Sequence, residues 1–218
     1  MEYKRIQPGE EEEALNFFYE TFVKDEAQLS SLRAGRNQEV TKDMQNLLGQ
    51  GVSLAARKMT GEMVGQILCE VHYRRDVMDT ESITSFPTLL GKYGDPAWAR
   101  FFHLGANHVF SPQELFMEFP VLDKVFDLGF LSVVQEERRK GIAGELFRRG
   151  ESLARELGCN GMIVIAATAA TVKLAQKLEM VMWREFAWKD YKNEKNEPVF
   201  NIPKEKGDRI FSFIKIFS

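Results

Sequence analysis

Between Val125 and Gly158 a buried strand, a basic turn and an amphipathic helix follow one another with no linker between them. The run Val125-Phe126-Asp127-Leu128-Gly129-Phe130-Leu131-Ser132-Val133-Val134 is nearly all apolar, the pattern of a strand covered on both faces. A polar turn, Gln135 to Gly144, follows directly. Apolar or small residues then recur at Ala143, Leu146, Phe147, Gly150, Leu153, Ala154 and Leu157, which is one face of a helix, and Gly158 stands where a left-handed C-cap belongs. A chain built around such a unit belongs in a layered α/β sheet.

The turn has the chemistry of an anion site. A helix N-terminus presents unpaired N–H groups and the positive end of the helix dipole, worth roughly 0.3–1 kcal/mol per interaction with an anion. Gly141 lets a bulky oxyanion reach the backbone, small Ala143 keeps the next turn open, and Arg138, Arg139 and Lys140 add positive charge. Neither a Gly-x-x-x-x-Gly-Lys-Ser/Thr loop nor a Gly-x-Gly-x-x-Gly follows the strand, so the two commonest nucleotide signatures are excluded here. The alternative reading is a basic helix start on an ordinary β-α crossover.

With 218 residues, 44% of them hydrophobic, the chain has the material for one generous domain over 1–218. A net charge of −3 argues against a general nucleic-acid binder. No apolar run approaches the roughly 20 residues of a membrane span, and Met1-Glu2-Tyr3-Lys4 does not open a signal peptide. Cys69 and Cys159 read as two buried free thiols, which fits a cytoplasmic protein. His72, His103 and His108 show no metal-ligand spacing, so no metal is expected.

Residues 2–6 read as a short edge strand. Glu10 to Glu13 open a helix with Ala14, Leu15, Phe18 and Phe22 on one face, the carboxylates complementing its dipole. That helix is expected to end near Val23, with Asp25 capping a second segment and Glu26 in its first turn. A third helix fits 37–49, and Val52 to Ala56, Thr60-Gly61-Glu62 and Met63 to Tyr73 make a hairpin. Residues 74–123, punctuated by Pro87, Pro96, Pro112 and Pro120, read as the least regular region. Its phenylalanines, Phe101, Phe102, Phe110, Phe116 and Phe119, suit core packing or the walls of a pocket for an aromatic substrate. A second parallel strand over 162–167, a helix over 168–178, a strand over 181–189, a polar loop over 192–206 and a terminal strand over 209–217 complete one mixed sheet flanked by helices.

Arg138-x-x-Gly141-x-Ala143, placed straight after Leu131-Ser132-Val133, resembles the pyrophosphate-binding motif of the GNAT superfamily of acetyltransferases. The order of elements is similar to the GNAT acyl-CoA acyltransferase fold over essentially the whole chain. Phe22-x-x-Asp25-Glu26, Phe119-Pro120-x-x-Asp123-Lys124, Lys177-Leu178, Trp188-x-x-Tyr191-Lys192 and Pro198-Val199-Phe200 further resemble the insect-type arylalkylamine, or dopamine, N-acetyltransferase branch. Three departures stand out. Ala27 replaces the branch's proline after Asp-Glu, Glu179-Met180 replaces Gly-Phe, and Ala175 occupies the slot in which many GNAT enzymes carry a tyrosine general acid.

The resemblance implies acetyl-CoA as cosubstrate, held by Leu131, Ser132, Val133, Arg138, Arg139, Lys140, Gly141, Ile142, Ala143 and Gly144, and a small amine as acceptor; charge, hydropathy and histidine spacing separately predict no nucleic-acid, membrane or metal partner. An alkylamine titrates near ~10 and must lose a proton before it can attack a thioester. Glu26 is implied as the base through water, a backbone N–H near Val133 as the oxyanion donor, and Thr168 or Thr171 as the relay that protonates the thiolate. Residue patterns alone give Glu26 a place in a first helical turn and Thr168 that of an N-cap. A GNAT enzyme acting on a protein N-terminus, lysine or polyamine, and a non-catalytic acyl-CoA-binding protein, are the alternatives.

Overall fold

The structure is a computed structural model that describes residues 1–80, 84–203 and 206–217. Its strands are β1 (Glu2–Arg5), β2 (Leu54–Arg57), β3 (Met63–Tyr73), β4 (Lys124–Val133), β5 (Gly161–Ala166), β6 (Val181–Ala187) and β7 (Arg209–Ile216). Its α-helices are α1 (Glu11–Phe17), α2 (Ala27–Ser31), α3 (Gln38–Leu48), α4 (Arg74–Met78), α5 (Phe86–Tyr93), α6 (Pro96–Leu104), α7 (Pro112–Glu118), α8 (Ile142–Glu156) and α9 (Ala169–Lys177). One sheet runs in the order β1-β2-β3-β4-β5-β7-β6, and only the β4–β5 pair is parallel. The mixed α/β sheet read from the sequence is therefore present.

The apolar run is β4, at the centre of the sheet. It pairs with β3 from Gly65–Val133 to Tyr73–Lys124, but with β5 only at Val125–Gly161, Phe126–Met162 and Asp127–Ile163. Beyond Asp127 the two strands part. The amphipathic helix α8 packs Leu146, Phe147 and Leu153 onto the face of the sheet formed by Phe126, Leu128 and Val164. Gly158 follows the helix with φ +70°. The opposite face is covered by an aromatic layer in which Phe18, Tyr19 and Trp98 from the N-terminal and middle helices meet Leu68 and Phe130.

Three expectations need correction. The region 74–123 is helical rather than irregular, residues 81–83 lying outside those described. Its prolines begin helices instead of breaking them: Ser85, Asp95 and Ser111 each cap a helix with Pro87, Pro96 or Pro112 in its first two positions. A proline there gives up an N–H that has no helical partner anyway. Second, Asp25 is not the cap of α2; Glu26 is, its side chain accepting from the N–H groups of Gln28 and Leu29. Third, α1 does not run on as an α-helix but passes into a π-helix over Phe18–Val23.

Glu10 and Glu13 also do more than face a helix dipole. Both pair with Arg57, a nearly buried guanidinium that Glu13 grips through both carboxylate oxygens, at 2.6 and 2.8 Å. The loop over 192–206 is tied by a bridge between Lys192 and Pro198, and residues 204 and 205 within it lie outside the described set. Cys69 and Cys159 are unpaired and buried. No described helix is long and apolar enough to cross a membrane, and no described cluster of His, Cys, Asp and Glu could hold a metal.

Candidate active site

Where β4 and β5 part, a cleft of about 1090 Å³ opens through the sheet. The β4 backbone supplies one wall. Val134 N–H donates to the Val64 carbonyl of β3 at 3.0 Å, so by the alternation of a strand the N–H and C=O of Val133 turn the other way. The Val133 carbonyl accepts from Arg138 Nε at 2.9 Å, and its N–H is left facing the parted side. Leu131, two residues back, has the same orientation. Leu131, Ser132 and Val133 all line the cleft. The Ser132 hydroxyl meets that of Thr21, on the π-helix, at 2.9 Å.

One mouth of the cleft is cationic. Arg138, Arg139, Gly141, Ile142, Ala143 and Gly144 line it, joined by Lys173, Lys177 and Lys206, none of which the sequence marks as a cofactor residue. Gly141 is the N-cap of α8 at φ +86°, with open space where a side chain would begin. The turn therefore needs a glycine for its backbone and leaves the first N–H groups of α8 accessible. Arg138 also forms an ion pair with Asp25, tying the turn to the start of α2. Lys140 stands apart: it pairs with Glu137 at 2.9 Å and is not part of the cleft wall.

Glu26 lines the cleft beside this mouth. Its Oε2 accepts from Gln28 N–H at 2.6 Å and Leu29 N–H at 2.9 Å. Burial pushes its pKa up to about 7, against the downward pull of those N–H groups and of Lys206. Across the cleft, Thr168 caps α9 by accepting from Thr171 N–H at 3.2 Å, and the two hydroxyls lie 3.0 Å apart. Both line the cleft, so the capping role leaves a hydroxyl pair at the wall. Ala175 is wholly buried in the core, and Met180 fills a core position. Glu179 holds φ +57°, so the left-handed turn usually given to glycine is kept without one.

The deep end is aromatic. Phe101, Phe102 and Phe110 line it together with Phe22, Tyr93 and Phe130, whereas Phe116 is wholly buried and Phe119 packs edge-on to Trp183 at 5.8 Å. Of the five phenylalanines, three stand on the cleft wall and two are packed away from it. Three titratable side chains also reach this end: Glu70 and His72 of β3, and Asp127 of β4. Burial raises the Glu70 pKa. Burial pulls the His72 imidazole down, but Asp127 and Glu70 more than offset it and leave its pKa raised. Nothing in the one-dimensional pattern joins these residues, because their meeting depends on the β3–β4 register.

No protein-family model matches the chain, and no curated protein matches its sequence. Solved structures do. The chain is similar to arylalkylamine N-acetyltransferase 2 from Aedes aegypti, at TM-score 0.85 and 21% identity over 100% of this chain and 99% of that one. It is similar to the polyamine N-acetyltransferase of Drosophila melanogaster, an enzyme that forms N-acetylagmatine, at TM-score 0.82 and 15% identity over 99% of each chain. A more distant likeness, TM-score 0.58 at 12% identity over 100% of this chain and 98% of that one, is to the NatC complex bound to Gag peptide and CoA. The likeness is one of fold: the chain has the GNAT acyltransferase fold expected from its sequence.

Proposed function

We propose that this protein is an N-acetyltransferase of one domain, spanning 1–218, that moves the acetyl group of acetyl-CoA to the primary amine of an arylalkylamine in the cytoplasm. The observation that carries this reading is the parting of β4 from β5. It leaves backbone donors at Leu131 and Val133 between a cationic helix start and a carboxyl group with a pKa of about 7. The fold it shares with N-acetyltransferases supports the same reading.

In this mechanism the N–H groups at Gly141 to Gly144, with Arg138 and Arg139, hold the pyrophosphate. Leu131 and Val133 pair with the pantetheine amides as a further strand would. Glu26, raised to about 7, takes the ammonium proton through water, since a base poised near the working pH is the effective one. The freed nitrogen attacks the thioester carbonyl, and a β4 backbone N–H stabilises the oxygen as it gains charge. The carbon–sulfur bond breaks, and the second proton leaving the newly acylated nitrogen passes through the Thr168–Thr171 hydroxyl pair to the departing thiolate. Aromatic walls bury a flat ring, each such pairing being worth roughly 0.5–1.5 kcal/mol beyond area.

A second reading, acetylation of a polyamine, is favoured by Glu70 and Asp127 at the deep end, which offer a partner to a second cation. One experiment separates the two: release of free CoA from acetyl-CoA with tyramine, tryptamine, spermidine and a lysine peptide. The expected order places an arylalkylamine first in kcat/KM. Spermidine or peptide ahead of every arylalkylamine by tenfold overturns the arylalkylamine assignment, and no CoA release with any amine overturns the enzymatic one.

A further inference from the structure

Beside the proposed base stands a buried amide that the fold itself leaves half used. Gln28 is the second residue of α2 and is only 2% exposed, yet it lines the cleft. Its backbone N–H donates to Glu26 Oε2 at 2.6 Å. Its side chain leans back towards the helix start, as helical side chains do, and brings Nε2 to 3.5 Å from Glu26 Oε1. That separation is the long limit of a hydrogen bond, so the amide is held only loosely by the carboxyl group. The amide oxygen, Oε1, is buried and has no partner among the described residues. A buried carbonyl without a donor is destabilising, and it calls for a donor supplied by whatever occupies the cleft.

The two oxygens of Glu26 have different duties. Oε2 accepts from the N–H groups of Gln28 and Leu29 and is committed to the helix cap. Oε1 is left to take a proton, and it is the oxygen that faces the Gln28 amide. We infer that Gln28 is a positioning residue for the first proton transfer, its Oε1 holding the water that carries the acceptor's proton to Glu26 Oε1; this rests on the function proposed above. The water donates one hydrogen to each of the two oxygens, which turns its lone pairs towards the cleft. The ammonium N–H bond breaks onto the water oxygen as the water O–H bond facing Glu26 breaks onto Oε1. The hydrogen bond to Gln28 is kept throughout, the water is restored, and the proton ends on the carboxyl group.

Electrostatics favours a water over the ammonium itself in this place. A cation held between a carboxylate and a carbonyl is stabilised in its charged form, and its proton becomes harder to remove. A neutral amide, by contrast, orients a water without competing with Glu26 for the proton. The setting is also rigid. Ala27, Gln28 and Leu29 are all buried, and Ser31 Oγ donates to the Gln28 backbone carbonyl at 2.8 Å. The Gln28 side chain is therefore fixed at its base and open at its tip, which is what holding a small mobile partner requires.

Two amines separate a relay from packing: phenethylamine, an ammonium at about pH 8, and β,β-difluorophenethylamine, which electron withdrawal by fluorine leaves largely neutral there, with no proton to relay. Gln28→Met keeps the length and removes the carbonyl, and Gln28→Leu is a second variant should the first not fold. CoA-induced thermal stabilisation reports folding. In single-turnover release of CoA, each substitution should slow phenethylamine by about tenfold, the scale of one hydrogen bond, with the half-saturating amine concentration and the rate for the difluoro amine within about twofold. In a Glu26→Gln background the loss with phenethylamine should vanish, because groups acting as one unit are not additive. Equal losses with both amines, no loss with either, or a loss that persists in full in the Glu26→Gln background overturns the inference. A loss confined to amine affinity overturns it in favour of direct contact with the ammonium. Each of these leaves the proposed function standing. No CoA release by the wild type with either amine overturns the proposed arylalkylamine function and this inference together.

Discussion

Glu26 Oε2 accepts a hydrogen bond from the N–H of Leu29 at 2.9 Å, so the oxygen that starts α2 belongs to the carboxyl group standing on the cleft wall with a pKa of about 7. Capping the helix does not compete with the role proposed for this residue as a base. The cap fixes the carboxylate in place, and burial raises its proton affinity although two N–H groups pull the other way.

The pH dependence follows from that opposition. A base must be unprotonated, so kcat/KM should rise with pH and level off above about 7. Glu26→Gln should lower kcat by about 10²–10⁴-fold and flatten that limb, with CoA affinity little changed. Stability runs in the opposite sense. A carboxyl whose folded pKa lies above its unfolded one binds more protons when folded, so its contribution is full below the ordinary carboxylate pKa and is lost as pH rises towards 7. The stability of the wild type relative to Glu26→Gln should therefore fall between pH 5 and pH 8, as denaturant titrations at each pH will report.

Gly141→Ala tests the helix start. With φ at +86°, a β-carbon costs about 1–2 kcal/mol in backbone conformation alone. It also projects into the open mouth that the proposed pyrophosphate would fill. Calorimetry should show CoA binding weakened by at least about tenfold, more than the stability loss in a still-folded protein explains. Unchanged CoA affinity would reduce the glycine to a conformational need.

Gly129→Ala tests the sheet itself. The β3–β4 register jumps between Leu68 and Cys69, leaving Gly129 opposite no residue, and a β-carbon there would stand 2.9 Å from the Leu68 carbonyl oxygen. Backbone cannot swing aside as a side chain can. The substitution should cost about 1–3 kcal/mol in denaturant unfolding and reduce activity by shifting β4 at the cleft.

Glu179→Gly should act in the other direction. Glu179 is exposed and holds a left-handed φ of +57° just past α9, where glycine is free of strain. Relieving that strain should add about 1 kcal/mol, or about 2–4 °C in Tm, without altering kinetics.

What could be read in one dimension was what repeats at fixed spacing. The apolar run of β4 and the spaced apolar positions of α8 mark the crossover, while the helix starts at Ile142, inside the stretch Gln135 to Gly144 that reads as a turn. Residues 74–123 mislead because proline reads as a breaker; Ser85, Asp95 and Ser111, each one or two residues before a proline, are the start signals that identify α5, α6 and α7. The π-helix over Phe18–Val23 has no periodicity signature, since one widened turn disturbs the pattern no more than an ordinary polar residue does. The meeting of His72 with Asp127, 55 positions apart, depends on strand register, as does the exclusion of Lys140, whose neighbour Glu137 claims it.

The parting of β4 from β5 has a consequence for how such proteins diverge. If main-chain N–H and C=O groups hold the cosubstrate, then the grip is encoded in the path of the chain and not in the identity of its side chains. Mutations that preserve the path are neutral for that grip. Selection then polices curvature, a bulge and a left-handed turn while leaving most letters free to drift. Two proteins can share 21% of their residues and, at a TM-score of 0.85, still trace the same path. The letters that would then remain under chemical constraint are those facing the proposed acceptor, and there relatives built on one frame are free to part company.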